Sequence, residues 1–94
     1  QGVGFKCCLP KTAWPPTFHA RNAIMLTDVA SRYKSEISLI NAGVEGNAKS
    51  LLSVLMLGIA SGTEVTLRIY GPDESDALLD ILQLVEKKFA PSDK

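Results

Sequence analysis

The chain has 94 residues, of which 46% are hydrophobic and 21% charged, so it is long enough for one domain with one core. Its ten Lys and Arg residues balance its ten Asp and Glu residues, which argues against binding to a nucleic-acid backbone, since that requires a basic excess. No apolar stretch reaches the roughly 18 residues of a transmembrane helix. The start, QGVGFKCCLP, lacks the layout of a signal peptide. Gln1 in place of an initiator Met indicates processing or excision from a longer chain.

Cysteine usage indicates a reducing compartment. Cys7 and Cys8 are adjacent, and neighbouring side chains on a strand point to opposite faces, so we expect no disulfide between them. One thiol should be buried as a small hydrophobic group and the other exposed. With no further Cys, we expect no metal site and a cytoplasmic location.

The first half of the chain alternates between strand and helix patterns. GFKCCL predicts a strand over about residues 3–9, and the segment PKTAWPPTF then interrupts regular structure before His19. Residues 20–33 predict an amphipathic helix. SEISLI predicts a second strand with Ile37 and Leu39 facing inward, and VEGN a short third strand. The apolar stripe of the helix consists of Ala23, Leu26, Val29 or Ala30, and Tyr33.

The second half contributes a short helix, a strand and a long helix. NAKSLLSVLML predicts an apolar helix that ends at Gly58, and TEVTLRIY at 63–70 alternates as a strand. GPDESDALLDILQLVEKKF predicts the last helix, with acidic residues at its start and lysines at its end. Its buried stripe would be Leu78, Ile81, Leu82, Val85 and Phe89. The order β-α-β-β-α-β-α predicts an α+β fold, a four-stranded, mostly antiparallel sheet with three helices on one face.

His19 is the only histidine, and it directly precedes the first predicted helix. The free N–H groups of a helix start favour an anion and the neutral form of imidazole, which is a nucleophile. Arg21 is near enough in sequence to contact the same anion. These residues suggest an imidazole that accepts a phosphoryl group. A histidine at a helix start is, however, more often a cap or a surface residue.

Two segments carry a resemblance to a known family. FHARNA resembles the HARPA active-site segment of HPr, the histidine phosphocarrier of the bacterial phosphoenolpyruvate:sugar phosphotransferase system. AKSLLSVLMLGIASGTEVTL resembles that family's second signature, roughly thirty residues later, and GPDESDALLDIL its last helix entry. The resemblance covers roughly residues 17–89. It implies a single HPr-like domain over residues 1–94, an open-faced β-sandwich, and no cofactor.

The resemblance also implies roles for particular residues. His19 would be phosphorylated on Nδ1, and Arg21 would steady the phosphoryl group. Ser50 would be the serine that an HPr kinase phosphorylates in some bacteria, although a serine there also suits a helix N-cap. The positions that would contact partner proteins are Ala20, Ile24, Leu51, Leu52 and Leu55. The alternative for the leucines is core filling, and we expect at least one of them to be buried.

The function implied is that of a phosphocarrier. His19 would accept a phosphoryl group from a phosphoenolpyruvate-dependent enzyme I and pass it to a sugar-specific, enzyme IIA-like acceptor or a regulatory protein. Such a carrier has no independent turnover as an enzyme, and we expect a monomer without membrane insertion. One alternative is a regulatory binding module on the same fold, whose phosphorylation state controls a partner. Another is a small domain that binds RNA or a ligand through Arg68 and Tyr70.

Three features depart from the family pattern. Asn22 stands where the family has Pro, which can shift the geometry of the first helical turn. The segment PKTAWPPTF is some four or five residues longer than the family's loop. Its Trp14 is expected to be half-buried in a rigid surface loop, or else to fold over the site. Asp28, one turn after Ile24, reduces the basic character of the exposed helix face and so affects docking.

Overall fold

The computed structural model describes residues 4–15, 18, 20–60 and 62–90. Within them the elements occur in the order predicted from the sequence, with a short 3-10 helix, Lys11–Ala13, added after the first strand. The strands are β1 (Phe5–Leu9), β2 (Glu36–Asn41), β3 (Val44–Asn47) and β4 (Val65–Tyr70), and the helices are α1 (Ala20–Ser31), α2 (Leu51–Met56) and α3 (Glu74–Glu86). No helix in this part of the chain is long and apolar enough to cross a membrane.

The four strands form one antiparallel sheet in the order β1-β4-β2-β3. In β4, Val65, Leu67 and Ile69 are buried, while Arg68 and Tyr70 are exposed on the opposite face. This alternation follows from the period of two along a strand. The buried face packs against the helices and the other face is open, which confirms the fold predicted from the sequence.

The helices bury one stripe each against that face. In α1 the buried apolar residues are Ala23, Leu26, Val29 and Ala30, as the helical spacing predicts. The helix ends at Ser31, so Tyr33 lies beyond it, and its hydroxyl donates a hydrogen bond to Asp80 on α3. Through this hydrogen bond, Asp80 raises the pKa of Tyr33. α1 contacts both α2 and α3, so it is the central helix of the layer.

Asp73 joins the start of α3 to the start of β2. Its carboxylate accepts hydrogen bonds from the backbone N–H groups of Lys34 and Ser35, each at 2.9 Å, and from the Ser35 hydroxyl. The Ser35 hydrogen bond and the Lys34 N–H lower the pKa of Asp73 to about 2. Gly71 is required beside this contact, because a Cβ at that position would lie 2.5 Å from the Ser35 Cα.

The structure corrects several local expectations. Trp14 is 3% exposed, so its indole belongs to the core rather than to a half-buried surface loop. Cys7 is half-buried rather than buried. Cys8 is exposed, as predicted, and a hydrogen bond with Glu64 raises its pKa and favours the neutral thiol. In α3, Leu78 and Leu82 are only partly buried, because the central line of contact runs through Ala77, Ile81 and Val85.

Candidate functional site

The start of α1 is the centre of the candidate site. α1 begins at Ala20, which is exposed, as is Arg21 in the first turn. No acidic residue lies in this turn, so no side chain there offsets the positive end of the helix. His19 itself lies outside the described residues, as does Pro16. The described neighbours of His19 along the chain are Phe18 and Ala20.

Three aromatic rings pack together beside this helix start. Trp14 and Phe89 are stacked, with ring centroids 5.5 Å apart and planes 18° apart. Phe18 meets Trp14 edge-on at 5.3 Å and Phe89 at 5.5 Å. We call Trp14, Phe18 and Phe89 the aromatic cluster. The sequence predicted burial of Phe89 but not its pairing with Trp14; the only local signal was a tryptophan next to two prolines.

Asn22, the departure from the family's proline, lies on the inner side of α1. Its side chain is 8% exposed, between the exposed Arg21 and the fully buried Ala23. The first helical turn therefore carries a buried polar side chain where the family pattern has proline, which has no backbone N–H. This departure therefore lies among the buried residues of the helix start and not among its exposed ones, Ala20, Arg21 and Ile24.

Ser50 lies at the N-cap of α2. Its backbone is extended, and its hydroxyl accepts a hydrogen bond from the N–H of Ser53 at 3.3 Å. This is the geometry of a serine cap, so the interpretation as a helix cap is confirmed. At the other end of α2, Gly58 adopts a positive φ of 64° and its N–H bonds the Leu55 carbonyl, which confirms the predicted stop.

Five apolar side chains of α1 and α2 are exposed, and we call them the α1–α2 patch. They are Ile24 at 44%, Leu51 at 37%, Leu52 at 67%, Leu55 at 40% and Met56 at 76% exposure. The expectation that at least one of the three leucines is buried was wrong, because Val54 and Leu57 fill the core instead. Met56 was not predicted as part of this surface, although it lies in the same apolar run.

The charges around the patch have mixed sign. Arg21 and Asp28 are both exposed on α1. Lys49, next to the cap of α2, donates from its Nζ to the Tyr33 carbonyl at 2.6 Å, so its ammonium is already engaged within the fold. α1 thus contributes one exposed cation and one exposed anion, and the lysine next to the cap of α2 is held within the fold.

The open face of the sheet offers little support for an RNA-binding reading. Tyr70 is 52% exposed there, which suits base stacking. Arg68, the proposed cation, forms an ion pair with Glu45 across the sheet. A paired guanidinium is less available to a phosphate, so the geometry favours the helix side of the molecule as the functional surface.

Comparison with known proteins agrees with this geometry. The family model described as "PTS HPr component phosphorylation site" matches residues 13–87. The chain is 42% identical over 74 residues to phosphocarrier protein HPr of Mycoplasma genitalium, covering 78% of this chain and 84% of that protein. The chain therefore belongs to the HPr family of the phosphotransferase system.

Solved structures show the same architecture. HPr-C-His from Thermoanaerobacter tengcongensis superposes with a TM-score of 0.84 at 28% identity, covering 94% of this chain and 98% of that one. Crh of Bacillus subtilis, whose crystal structure is described as a catabolite repression protein with a swapped dimer, has a TM-score of 0.70 at 34% identity, covering 78% and 84%. The fold is thus the open-faced sandwich of HPr.

Proposed function

We propose that this protein carries a phosphoryl group on His19, received from a phosphoenolpyruvate-dependent enzyme I and passed to a sugar-specific or regulatory acceptor. Two features together support this most. A helix start without acidic residues follows His19 directly, and the same helix packs against α2, where Leu51, Leu52 and Leu55 are exposed. A carrier needs both an anion-tolerant acceptor and a surface that partners can cover.

The transfer chemistry needs only one nucleophile on this chain. A lone pair of a neutral imidazole nitrogen of His19 forms a bond to phosphorus. The bond between phosphorus and the donor breaks, and its electron pair leaves with the donor. The same exchange in the other direction passes the group to the acceptor. A net phosphoryl transfer of this kind involves no redox step, and the family pattern places it on Nδ1.

Arg21 is the proposed partner of the transferred charge. A phosphoryl group brings up to two negative charges to the ring, and docking removes part of the surrounding water. The N–H groups at the start of α1 and the guanidinium of Arg21 are the two compensating donors. Arg21 is exposed in the first turn, so its side chain is free to reach an anion at the helix start.

The α1–α2 patch, together with the neighbouring Ala20, is the proposed docking surface for both donor and acceptor. Ala20, Ile24, Leu51, Leu52 and Leu55 are all exposed, and α1 packs against α2. Water leaves this apolar surface when a partner covers it, which favours binding. The mixed charge of Arg21 and Asp28 makes electrostatic steering weaker than on a uniformly basic face.

Ser50 is the proposed regulatory site. Its hydroxyl already faces the first turn of α2 as a cap, next to Leu51 and Leu52 of the docking surface. A phosphate on Ser50 would still face the N–H groups of the helix start, yet it would place charge at the edge of an apolar interface. An HPr kinase acting there would thus reduce docking without unfolding α2.

A second function has a specific observation in its favour. The structural neighbour Crh is described as a catabolite repression protein, and the same apolar patch would serve a regulatory partner. We therefore keep a regulatory binding module, controlled by phosphorylation, as the alternative. We further propose a cytoplasmic monomer that forms one HPr-like domain over residues 1–94. A swapped dimer like that described for Crh is the competing state, and sedimentation velocity distinguishes the two.

The decisive experiment is phosphorylation by purified enzyme I and phosphoenolpyruvate. Intact mass should rise by one phosphoryl group, and the label should be lost in acid, as phosphohistidine is. His19→Ala should abolish this gain, with an unchanged circular dichroism spectrum. Ser50→Ala is the matched control and should still accept an acid-labile phosphoryl group. Acid-labile uptake by His19→Ala at the wild-type level would refute the assignment.

A further inference from the structure

The aromatic cluster joins three separate parts of the chain. Trp14 follows the 3-10 helix, Phe18 directly precedes position 19, and Phe89 follows the end of α3. Each ring contacts the other two, with centroids 5.3 to 5.5 Å apart. Trp14 and Phe89 are 3% and 1% exposed. The cluster is therefore a packed part of the core located at the start of α1.

The backbone beyond α3 adopts an unfavourable conformation to complete this cluster. Lys88 and Phe89 have positive φ angles of 55° and 58°, which residues other than glycine rarely adopt. The Phe89 N–H bonds the Leu84 carbonyl at 3.1 Å, which turns the chain back toward α1. Conformations of this kind persist where surrounding contacts compensate for them, and burial of the Phe89 ring against Trp14 is such a contact.

Trp14 also has a polar atom that the core does not satisfy. Within the described part of the chain, its Nε1 is buried and has no hydrogen-bond partner. A buried donor without a partner is unfavourable, so hydrogen bonding does not account for the indole at this position. The flat face of the indole accounts for this position, because the indole stacks on Phe89 and contacts Phe18 edge-on.

Phe18 connects this packing to the acceptor. Consecutive Cα atoms are about 3.8 Å apart, so the positions of Phe18 and Ala20 limit where the backbone of residue 19 can lie. Ala20 is fixed by α1, and Phe18 by the aromatic cluster. Removal of the indole would take away one of the two ring contacts of Phe18, and none of the three rings belongs to the α1–α2 patch.

We propose that Trp14 is a positioning residue for phosphoryl acceptance, acting through Phe18 on the chain segment that carries His19. This inference rests on the proposed phosphocarrier function. Displacement of a reacting group by about 1 Å is sufficient to slow a reaction by up to about a hundredfold. Because Trp14 lies in the core and not on the docking surface, its effect should fall on the rate of transfer within the complex and not on docking.

The test compares phosphoryl transfer from phosphorylated enzyme I to wild type, Trp14→Phe, Trp14→Leu and Ile37→Ala. Ile37 is buried in β2, where it pairs with Ile69 of β4, and it is not part of the aromatic cluster, so Ile37→Ala is the control for lost stability. Trp14→Leu should lower the maximal transfer rate by about tenfold or more with KM for the donor unchanged. Trp14→Phe should recover most of the rate, and Ile37→Ala should keep it. Should Trp14→Leu fail to fold, Phe89→Leu removes the other half of the stack.

A second readout uses the fact that Trp14 is the only tryptophan. Its emission in wild type should change on phosphorylation and return when the group is passed on. Equal slowing in Trp14→Leu and Ile37→Ala, or a raised KM with an unchanged maximal rate, would overturn the positioning role. So would unaltered transfer in Trp14→Leu. Absence of phosphoryl uptake by wild type itself would instead overturn the proposed function, and the positioning role with it.

Discussion

Leu52→Ala should weaken docking of the donor while leaving the fold intact. Leu52 is 67% exposed at the α1–α2 patch, so most of its side chain is available to a partner and little of it supports the core. The change removes three carbons, each worth about 0.8 kcal/mol when fully buried. Two-thirds of that sum is about 1.6 kcal/mol, which corresponds to a roughly 15-fold weaker complex.

Leu79→Ala is the matched control. Leu79 is 61% exposed on α3, so the substitution removes the same atoms at nearly the same exposure but away from the patch. Isothermal titration with enzyme I, at a fixed salt concentration, measures the dissociation constant for each variant. Urea unfolding checks that both variants keep wild-type stability. Similar affinities for Leu52→Ala and Leu79→Ala would refute the assignment of the patch as the docking surface.

Arg21→Ala should slow phosphoryl transfer about ten- to a hundredfold, since a charge-assisted hydrogen bond contributes about 1.5–3 kcal/mol. Arg21→Lys should keep only part of the wild-type rate, and equal rates for wild type and both variants would exclude Arg21 from the site. Ser50→Asp should raise KM for the donor while keeping the α2 cap, and unchanged kinetics in the folded variant would remove Ser50 from the interface. Because the pKa of Asp73 is lowered to about 2, its carboxylate stabilises the fold fully above about pH 4, and this stabilisation is lost as pH falls toward 2. Between about pH 4 and pH 2 the urea midpoint of Asp73→Asn should therefore depend less on pH than that of wild type. The same pH dependence in both proteins would contradict this.

The candidate site could be predicted from the sequence only in part. Position and residue type predicted Arg21 at a helix start and Ser50 at a helix cap, and the structure places both residues there. Their functional roles remain predictions, as does that of His19. The exposure of Leu51, Leu52 and Leu55 could not be read from a six-residue helix, since nearly all of its residues are apolar and none marks the inner face.

Sequence patterns were sufficient to predict the elements and the sheet class, because the information for them is local. Alternation of Val65, Leu67 and Ile69 specifies a strand with one buried face, and the spacing of Ala23 and Leu26 specifies a helix with one buried stripe. Side chains two residues apart in a strand, or three or four apart in a helix, lie on the same face of the element whatever the rest of the chain does. Hence the order of elements agrees with the prediction, as do the inner faces of β4 and α1.

Contacts between residues far apart in the chain could be read only from the folded structure. Ser35 and Asp73 are 38 residues apart in sequence, and Trp14 and Phe89 lie near opposite ends of the chain. No periodicity relates such pairs, because their contact depends on how α1 and α3 pack on the sheet and on where each chain segment re-enters the core. The burial of Trp14, against the expectation of a surface loop, follows from that packing: the end of α3 supplies the ring that covers the indole.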